Sequence, residues 1–393
     1  MPIVTNTTTT SVRLANTAMS RAFFSRAKKW LYPKVCGSYT SVALVEPHAI
    51  LGAAPPLRRF DGFLRANALP SFSMNIPNPL FKNLLPVDRT EYEGDQTGTM
   101  AQLGTQVGVQ LAEFPEQLWT AKLLTGSTAG SQTEVFRGTS YTNTLDGQPL
   151  FSASHDDWAA GSTQSNILQG TLPSTSSSLV ADDWATNAVK MQKDLQVVIN
   201  ALRTVKNTNG LPIYPSLDPA DAIVVLVPPV LLPIAKLAFA TATSVINQTT
   251  NIAPTMVKEV VCSGYLAGLP SPFDGSALTP VNETDWYVCV VDDYVKPFYI
   301  QLYRPPKNSE LFPPDYDAAE VIDKMLKAQS EITVDAATLY ASTSVDTTFN
   351  RVGANADQAT IQSESFWMSA RWRGNMAYGP WFTAWRIIPV GGS

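Results

Sequence analysis

Between Met100 and Leu118 the apolar positions Met100, Leu103, Val107, Leu111, Phe114 and Leu118 step by 3, 4, 4, 3 and 4 residues. That spacing is one face of a long α-helix. Asp95 or Thr97 offers a cap ahead of it and Gly126 a stop. Pro115 removes a backbone donor, which predicts a kink or a split. Gly104 and Gly108 stand one turn apart; they either weaken the helix or let another backbone come close. A second helix is written more clearly: Trp184, Ala188, Met191, Leu195, Val198, Leu202 and Val205 alternate steps of 4 and 3, behind Asp182 or Asp183 as cap. Ala222–Val227 is continuously apolar and reads as a buried strand, followed by a proline-started helix to about Ala242. "EVVCSGYLAG" and "DWYVCVVDDYVKPFYIQLYRPP" supply further strands. The aromatic C-terminus, "SESFWMSARWRGNMAYGPWFTAWRIIP", reads as a strand pair with a turn near Tyr378–Pro380. Residues 130–180 read as short strands and loops. Residues 308–362 hold an amphipathic stretch, "YDAAEVIDKMLKAQ", and then a polar run with no clear element.

The polar positions organise the first quarter of the chain. Residues 1–12 are Thr-rich, and Ser11–Tyr32 predicts a basic amphipathic helix ended by Pro33. Such a helix either lies on its own domain or serves as an arm toward a neighbour. Over residues 46–92 prolines recur at 47, 55, 56, 70, 77, 79 and 86, and Asp61-Gly62 is flanked by apolar residues. This predicts an extended two-stranded projection with its tip near Asp61–Gly62. A long projection of this kind makes sense when it reaches another subunit.

Composition reinforces that picture. Apolar residues are 45% of the chain, enough for a sizeable core, but charged residues are only 16%, against about 25% in an ordinary soluble domain. A surface so poor in charge predicts burial against copies or partners. Residues 1–45 carry six Lys/Arg and no acid, while the rest carries 22 Lys/Arg against all 33 Asp/Glu. The acidic body argues against a general nucleic-acid binder, because wrapping phosphate needs a positive surface. The basic start is a transit segment or an arm touching nucleic acid or an acidic neighbour. Cys36, Cys262 and Cys289 are few, odd in number and far apart. They exclude a disulfide framework and paired zinc spacing, and they predict folding in a reducing cytosol. No apolar run reaches about 18 residues, so no membrane span is expected.

The candidate chemistry centres on "LDGQPLFSASHDDW", which holds His155; His48 is the only other histidine. A zinc site needs three or four converging ligands, which two histidines and scattered cysteines do not offer. Asp156–Asp157 and Asp292–Asp293 remain as carboxylate ligands for magnesium or calcium. Neighbours on a strand point to opposite faces, however, so an adjacent pair chelates poorly outside a loop. Ser154 precedes His155 without a G-x-S-x-G elbow, and neither a P-loop nor a G-x-G-x-x-G is present. "GSTAGS" (Gly126–Ser131) lacks the P-loop lysine. No catalytic residue, metal site or cofactor is therefore expected. The competing reading is a cytosolic carboxylate-metal hydrolase using Asp156, Asp157, Asp292 or Asp293.

Three stretches carry a family resemblance: "AEFPEQLWTAKLLTG", "LDGQPLFSASH", and "DDYVKPFYIQLYRPP" followed later by "SFWMSARWRGNMAYGPWFTAWRI". Together, in this order, they resemble the major head proteins of tailed phages, and within them the Mu-type major head subunit family. The likeness runs from about Ser71 to Ile388. It departs from the family at residues 308–362, which are longer here, and the first 45 residues have no counterpart pattern.

The resemblance implies an α+β chain of the Hong Kong 97-type capsid fold. In it residues 1–47 are an N-terminal arm and 48–92 an extended loop. Residues 93–180 are a peripheral domain with a spine helix, 181–300 an axial domain, and 301–393 a return to the peripheral sheet. The implied function is a structural capsid protein. It self-assembles into pentamers and hexamers of an icosahedral head around double-stranded DNA, in a virion made in the bacterial cytoplasm. Implied partners are further copies, portal, scaffolding and decoration or cement proteins, and DNA held nonspecifically on the inner face. A tail or decoration protein is the alternative within the same class. Arg58, Arg59, Asp61 and Arg65 on the loop are the implied contacts with a neighbour. Arg21, Arg26, Lys28 and Lys29 form the basic face of the arm, and Leu103, Val107, Leu111, Phe114 and Leu118 the core face of the spine helix. Some members cross-link a lysine to an asparagine; Lys82-Asn83 is the nearest reminder, and no cross-link is expected. Some members lose an N-terminal segment to a protease; no cleavage site stands out here. On this reading Asp146-Gly147 is a turn, Phe151 enters the core, and His155-Asp156-Asp157 marks where a strand leaves the sheet.

Overall fold

A computed structural model describes residues 18–19, 21–51, 71–88, 98–156, 163–181, 183–207, 209–239, 256–292, 295–303 and 365–390. The loop residues Arg58, Arg59, Asp61 and Arg65, the helix caps Asp95 and Thr97, Asp157, Asp293 and the 308–362 segment lie outside the described residues.

In chain order the strands are β1 (Cys36–Ser41), β2 (Val45–Leu51), β3 (Ser71–Pro77) and β4 (Leu80–Asp88). After the long helix α1 (Thr99–Thr125) come β5 (Thr133–Phe136), β6 (Thr139–Thr142), β7 (His155–Asp156), β8 (Thr163–Gln164) and β9 (Ile167–Pro173). Helix α2 (Trp184–Thr204) leads to β10 (Ile223–Val227), and α3 (Leu232–Phe239) leads to β11 (Glu259–Cys262). The chain continues through β12 (Leu269–Pro270), β13 (Ala277–Leu278), β14 (Trp286–Val290), β15 (Phe298–Tyr303), β16 (Ser365–Tyr378) and β17 (Ala384–Val390).

Two sheets organise these elements. One runs β1-β15-β16-β4, the other β11-β10-β14-β17-β9. The two C-terminal strands, expected to pair, instead belong to different sheets: β16 lies between β15 and β4, and β17 between β14 and β9. Gly379 explains the crossing. A Cβ there would sit 2.0 Å from the Lys296 carbonyl oxygen, and the following Pro380 has no amide hydrogen to continue a ladder. The chain therefore leaves one sheet and enters the next through a short 3-10 turn, Trp381–Thr383.

The five-stranded sheet separates two cores. Every residue of β10 and β14 is buried, as a strand covered on both faces requires. Ile223, Val225, Val227, Trp286, Val288 and Val290 turn toward α2 and α3. Val224, Leu226, Tyr287 and Cys289 turn toward α1, the N-terminal segment and the other sheet. Strand alternation thus assigns neighbouring residues to opposite cores. Helix α2 lays Ala188, Met191, Leu195, Val198 and Leu202 on one core, as its spacing predicts. Trp184, at the first helical position, stays 52% exposed.

Helix α1 runs unbroken for 27 residues with Pro115 inside it, so the predicted split does not occur. Gly98, at φ +75°, precedes its first turn, and Gly126 closes it by donating to the Leu123 carbonyl. Of the five residues expected on its core face, Val107 and Leu118 are fully buried, whereas Leu103, Leu111 and Phe114 are half-buried. Ala112, Trp119, Ala121 and Leu123 complete the buried face. Beyond Glu116 nearly the whole circumference is covered, so a single 3/4 stripe undercounts it. Tyr378 of β16 ties the end of α1 to the sheet, its hydroxyl donating to the Lys122 carbonyl at 2.9 Å.

The hairpin expectation meets an antiparallel β2–β3 pair in which Leu51 faces Ser71. The residues between them lie outside the described residues.

Candidate functional site

The opening suspicion of chemistry falls on His155. Asp146 starts a turn: Gly147 takes φ +72°, and the Gln148 amide donates to Asp146 Oδ1 at 3.1 Å, an Asx turn. The second carboxylate oxygen of Asp146 meets His155 Nδ1 at 2.6 Å. His155 Nε2 lies 3.1 Å from Asn166 Oδ1, and the ring stacks on Trp381 at 4.6 Å and 5°. Asp146–His155 has the geometry of two members of a hydrolytic triad, but the other ring nitrogen is occupied by an amide oxygen where a nucleophile would have to sit. Ser154, the adjacent hydroxyl, contacts Ser152 instead. His155 is 0% exposed; it is a pin.

Asn166 extends that pin. Its Nδ2 faces the carbonyl oxygens of Leu150 (2.6 Å), Trp381 (3.1 Å) and Ala384 (2.9 Å), and its Oδ1 accepts from the Ser152 amide at 3.0 Å. One side chain therefore joins the segment after α1, the turn after β16 and the start of β17. Phe151 is buried as expected, but in a bend rather than a strand, and His155 starts the short strand β7. Nothing in the "STQSNILQG" composition marks Asn166 as buried.

His48 is likewise structural: its Nε2 meets Gln301 Oε1 at 2.6 Å, and its ring stacks on Tyr39 at 4.8 Å. Among the described residues no three His, Cys, Asp or Glu side chains come together as metal ligands. The Asp292 amide closes a turn onto the Val295 carbonyl at 3.2 Å. Burial pushes the Cys36 and Cys289 thiols upward, away from the thiolate that nucleophilic chemistry needs.

The N-terminal segment is the other candidate. Residues 21–27 are helical, and Phe23, Phe24, Ala27 and Trp30 pack into the core shared with α1. The apolar side of this stretch therefore lies on its own domain, which leaves its basic side exposed for a further partner. Trp30 Nε1 donates to the Ala112 carbonyl at 2.7 Å. The amides of Leu31 and Tyr32 both donate to Glu116 Oε1. Arg26 reaches Glu113 at 2.6 Å. Arg21, Arg26, Lys28 and Lys29 are all exposed.

Gly108 explains how the two backbones come so close, since a Cβ there would lie 2.2 Å from the Met19 carbonyl oxygen. Gly108→Ala is expected to push residue 19 off α1 at a cost of about 1–3 kcal/mol. Faster tryptic cleavage after Arg21 and Arg26 in the variant is the readout; an unchanged cleavage rate would show that the contact does not hold the segment.

Among the described residues, both histidines and Asp146 are thus consumed in joining segments. Residues 12–209 match the Mu-like prophage major head subunit gpT family, and the chain belongs to that family. It is a structural major capsid protein of phage-head type, and its helices and strands form a mixed α+β fold, as expected for the class. The chain is also similar to solved capsids. The bacteriophage JBD30 capsid is 19% identical, with TM-score 0.43, over 60% of this chain and 90% of that one. The cyanophage P-SCSP1u capsid is 10% identical, with TM-score 0.49, over 91% and 88%. The mature capsid of bacteriophage PhiM1 is 10% identical, with TM-score 0.48, over 92% and 88%. No curated protein matches the chain. Family membership replaces the hydrolase reading and the tail or decoration reading with that of a head subunit.

Proposed function

We propose that copies of this chain assemble, through pentamers and hexamers, into a closed icosahedral head around double-stranded DNA. The observation that carries this reading is the match of residues 12–209 to a major head subunit family. Rings of five and six use head-to-tail contacts that close on themselves, and a chain with only 16% charged residues has surface suited to repeated burial. In this reading residues 1–47 are the arm, 48–92 the extended loop, 93–180 the peripheral domain with α1 as spine helix, and 181–300 the axial domain. Residues 301–393 return to the peripheral part with β16 and join the five-stranded sheet with β17. Arg58, Arg59, Asp61 and Arg65 meet acidic groups of a neighbour, each exposed pair contributing about 0–1 kcal/mol, so that many copies of weak contacts hold the shell. Arg21, Lys28 and Lys29 face the packaged DNA on the inner surface. Portal and scaffolding proteins are the expected assembly partners, with decoration or cement proteins outside, and the host cytoplasm is the place of synthesis.

The protein expressed in bacteria, with and without scaffolding and portal proteins of its phage, is expected to form closed shells visible by electron microscopy. A strictly monomeric species under both conditions, or tubes and open rings only, would overturn the proposal.

A further inference from the structure

The seam between the N-terminal segment and α1 holds a carboxyl group whose two oxygens have very different surroundings. Glu116 is only 7% exposed. Its Oε1 accepts from the Leu31 and Tyr32 amides, the latter at 2.8 Å. Its Oε2 is buried and has no hydrogen-bond partner among the described residues; it lies beside a cleft of about 520 Å³ whose walls include Arg26, Lys29 and Tyr265. The groups that face this carboxyl come from each element around it. The N-terminal side brings Arg26, Lys34 and the Tyr32 phenol, and β1 brings the Cys36 thiol. On α1 the neighbouring acid is Glu113, which is already held by Arg26 and by the Tyr265 hydroxyl from the turn after β11. Lys34 is engaged with Glu259. Both nearby cations thus serve other carboxylates, and a charge on Glu116 gains little from them.

We propose that Glu116 is a proton-operated clasp: neutral, it holds the 21–32 segment on α1, and its ionisation favours release of that segment. The two amide bonds suit either protonation state, but an ionised Oε2 is a charge shielded from solvent and without a hydrogen-bond donor among the described residues. Release of the segment rehydrates it. Burial pushes the carboxyl up to about 7, against the opposing pull of the two amides and of Arg26 and Lys34. A docked state that binds its proton more tightly than the released state is stabilised at low pH. That advantage disappears as pH rises from the ordinary glutamate range through about 7. Clasp opening should therefore increase roughly ten- to a hundredfold between pH 5 and pH 8. This inference concerns the single chain and does not depend on shell formation.

Hydrogen exchange on the full-length chain, corrected for the intrinsic pH dependence of exchange, reads the opening of residues 21–32 directly. Wild type is expected to show the increase, and Glu116→Gln, which keeps an acceptor for both amides and cannot ionise, a flat profile. A flat wild-type profile, or the same slope in Glu116→Gln, overturns the proposal. Should Glu116→Gln fail to fold, Glu113→Gln decides. A slope that persists in that variant supports Glu116 as the titrating group, and a slope that disappears assigns the effect to Glu113 and overturns it.

Discussion

Asn166→Ala is expected to lower the stability of the chain by about 4–6 kcal/mol, the largest effect of any single polar truncation here. The side chain lies fully buried and its amide group faces three carbonyl oxygens, while its oxygen serves the Ser152 amide and His155 Nε2. Each buried group left without a partner costs about 1–3 kcal/mol, and alanine takes away the two amide hydrogens shared among three carbonyls and the oxygen that serves Ser152 and His155. The sum is an upper bound, because water can enter the vacated space and satisfy part of the set. Asn166→Asp is expected to be nearly as damaging: it keeps an acceptor for Ser152 but turns an oxygen toward the three carbonyls. Urea unfolding followed by tryptophan fluorescence gives the comparison, Trp381 being stacked on His155 at 4.6 Å. A loss below about 1 kcal/mol for Asn166→Ala, the size of one ordinary net hydrogen bond, would mean that the junction is held by packing and not by this residue. In head assembly the same variant should give aggregated or absent shells, because β17, β16 and the segment after α1 no longer share an anchor.

Much of the secondary structure is legible in the chain because it rests on local periodicity. The 4/3 stepping from Ala188 to Leu202 is one helical face, and five of its residues lie in one core. The unbroken apolar runs of β10 and β14 report strands covered on both sides. The break at Tyr378–Pro380 is where the chain turns. Pairing is different in kind. A period of two shows that β16 and β17 have two faces, but not which strand lies beside them, and they separate into two sheets. Pro115 stays inside α1 because tertiary packing overrides a local cost of about 3 kcal/mol. Buried polar residues are the least legible, since their partners lie far away in sequence. Asn166 reaches Trp381 and Ala384, and Glu116 reaches Leu31 and Tyr32. His155 drew attention because histidine is rare here and Asp156–Asp157 follow it, yet the carboxylate it meets is Asp146, nine residues earlier. The candidate site thus stands out by its composition, while its work is set by Asp146, legible only as a turn residue, and by Asn166, which carries no signal.

Asp285→Ala is expected to cost about 3–5 kcal/mol, the range for removing one partner of a buried ion pair. Arg386 of β17 reaches Asp285 Oδ2 through Nη2 at 2.6 Å and through Nε at 3.2 Å, and both side chains are under 7% exposed. Its Nη1 donates to Ser127 Oγ at 2.9 Å, just past the end of α1. The Asn282 amide holds the other aspartate oxygen at 3.0 Å. Alanine at 285 leaves the guanidinium buried with a hydroxyl as its remaining partner, so the penalty comes from the stranded charge more than from the lost attraction. Two further variants separate these contributions. Arg386→Met alone leaves Asp285 with Asn282 and costs less than the stranded arginine, because one carboxylate keeps a donor. The double change Asp285→Leu with Arg386→Met removes both charges and should recover most of the loss. If the double variant is as unstable as Asp285→Ala, the pair matters for its geometry, by aligning β17 with β14 and the end of α1, and desolvation is not the controlling cost. Recovery of stability together with normal shells would show the opposite: the junction needs complementary filling there, and charge is one way of providing it.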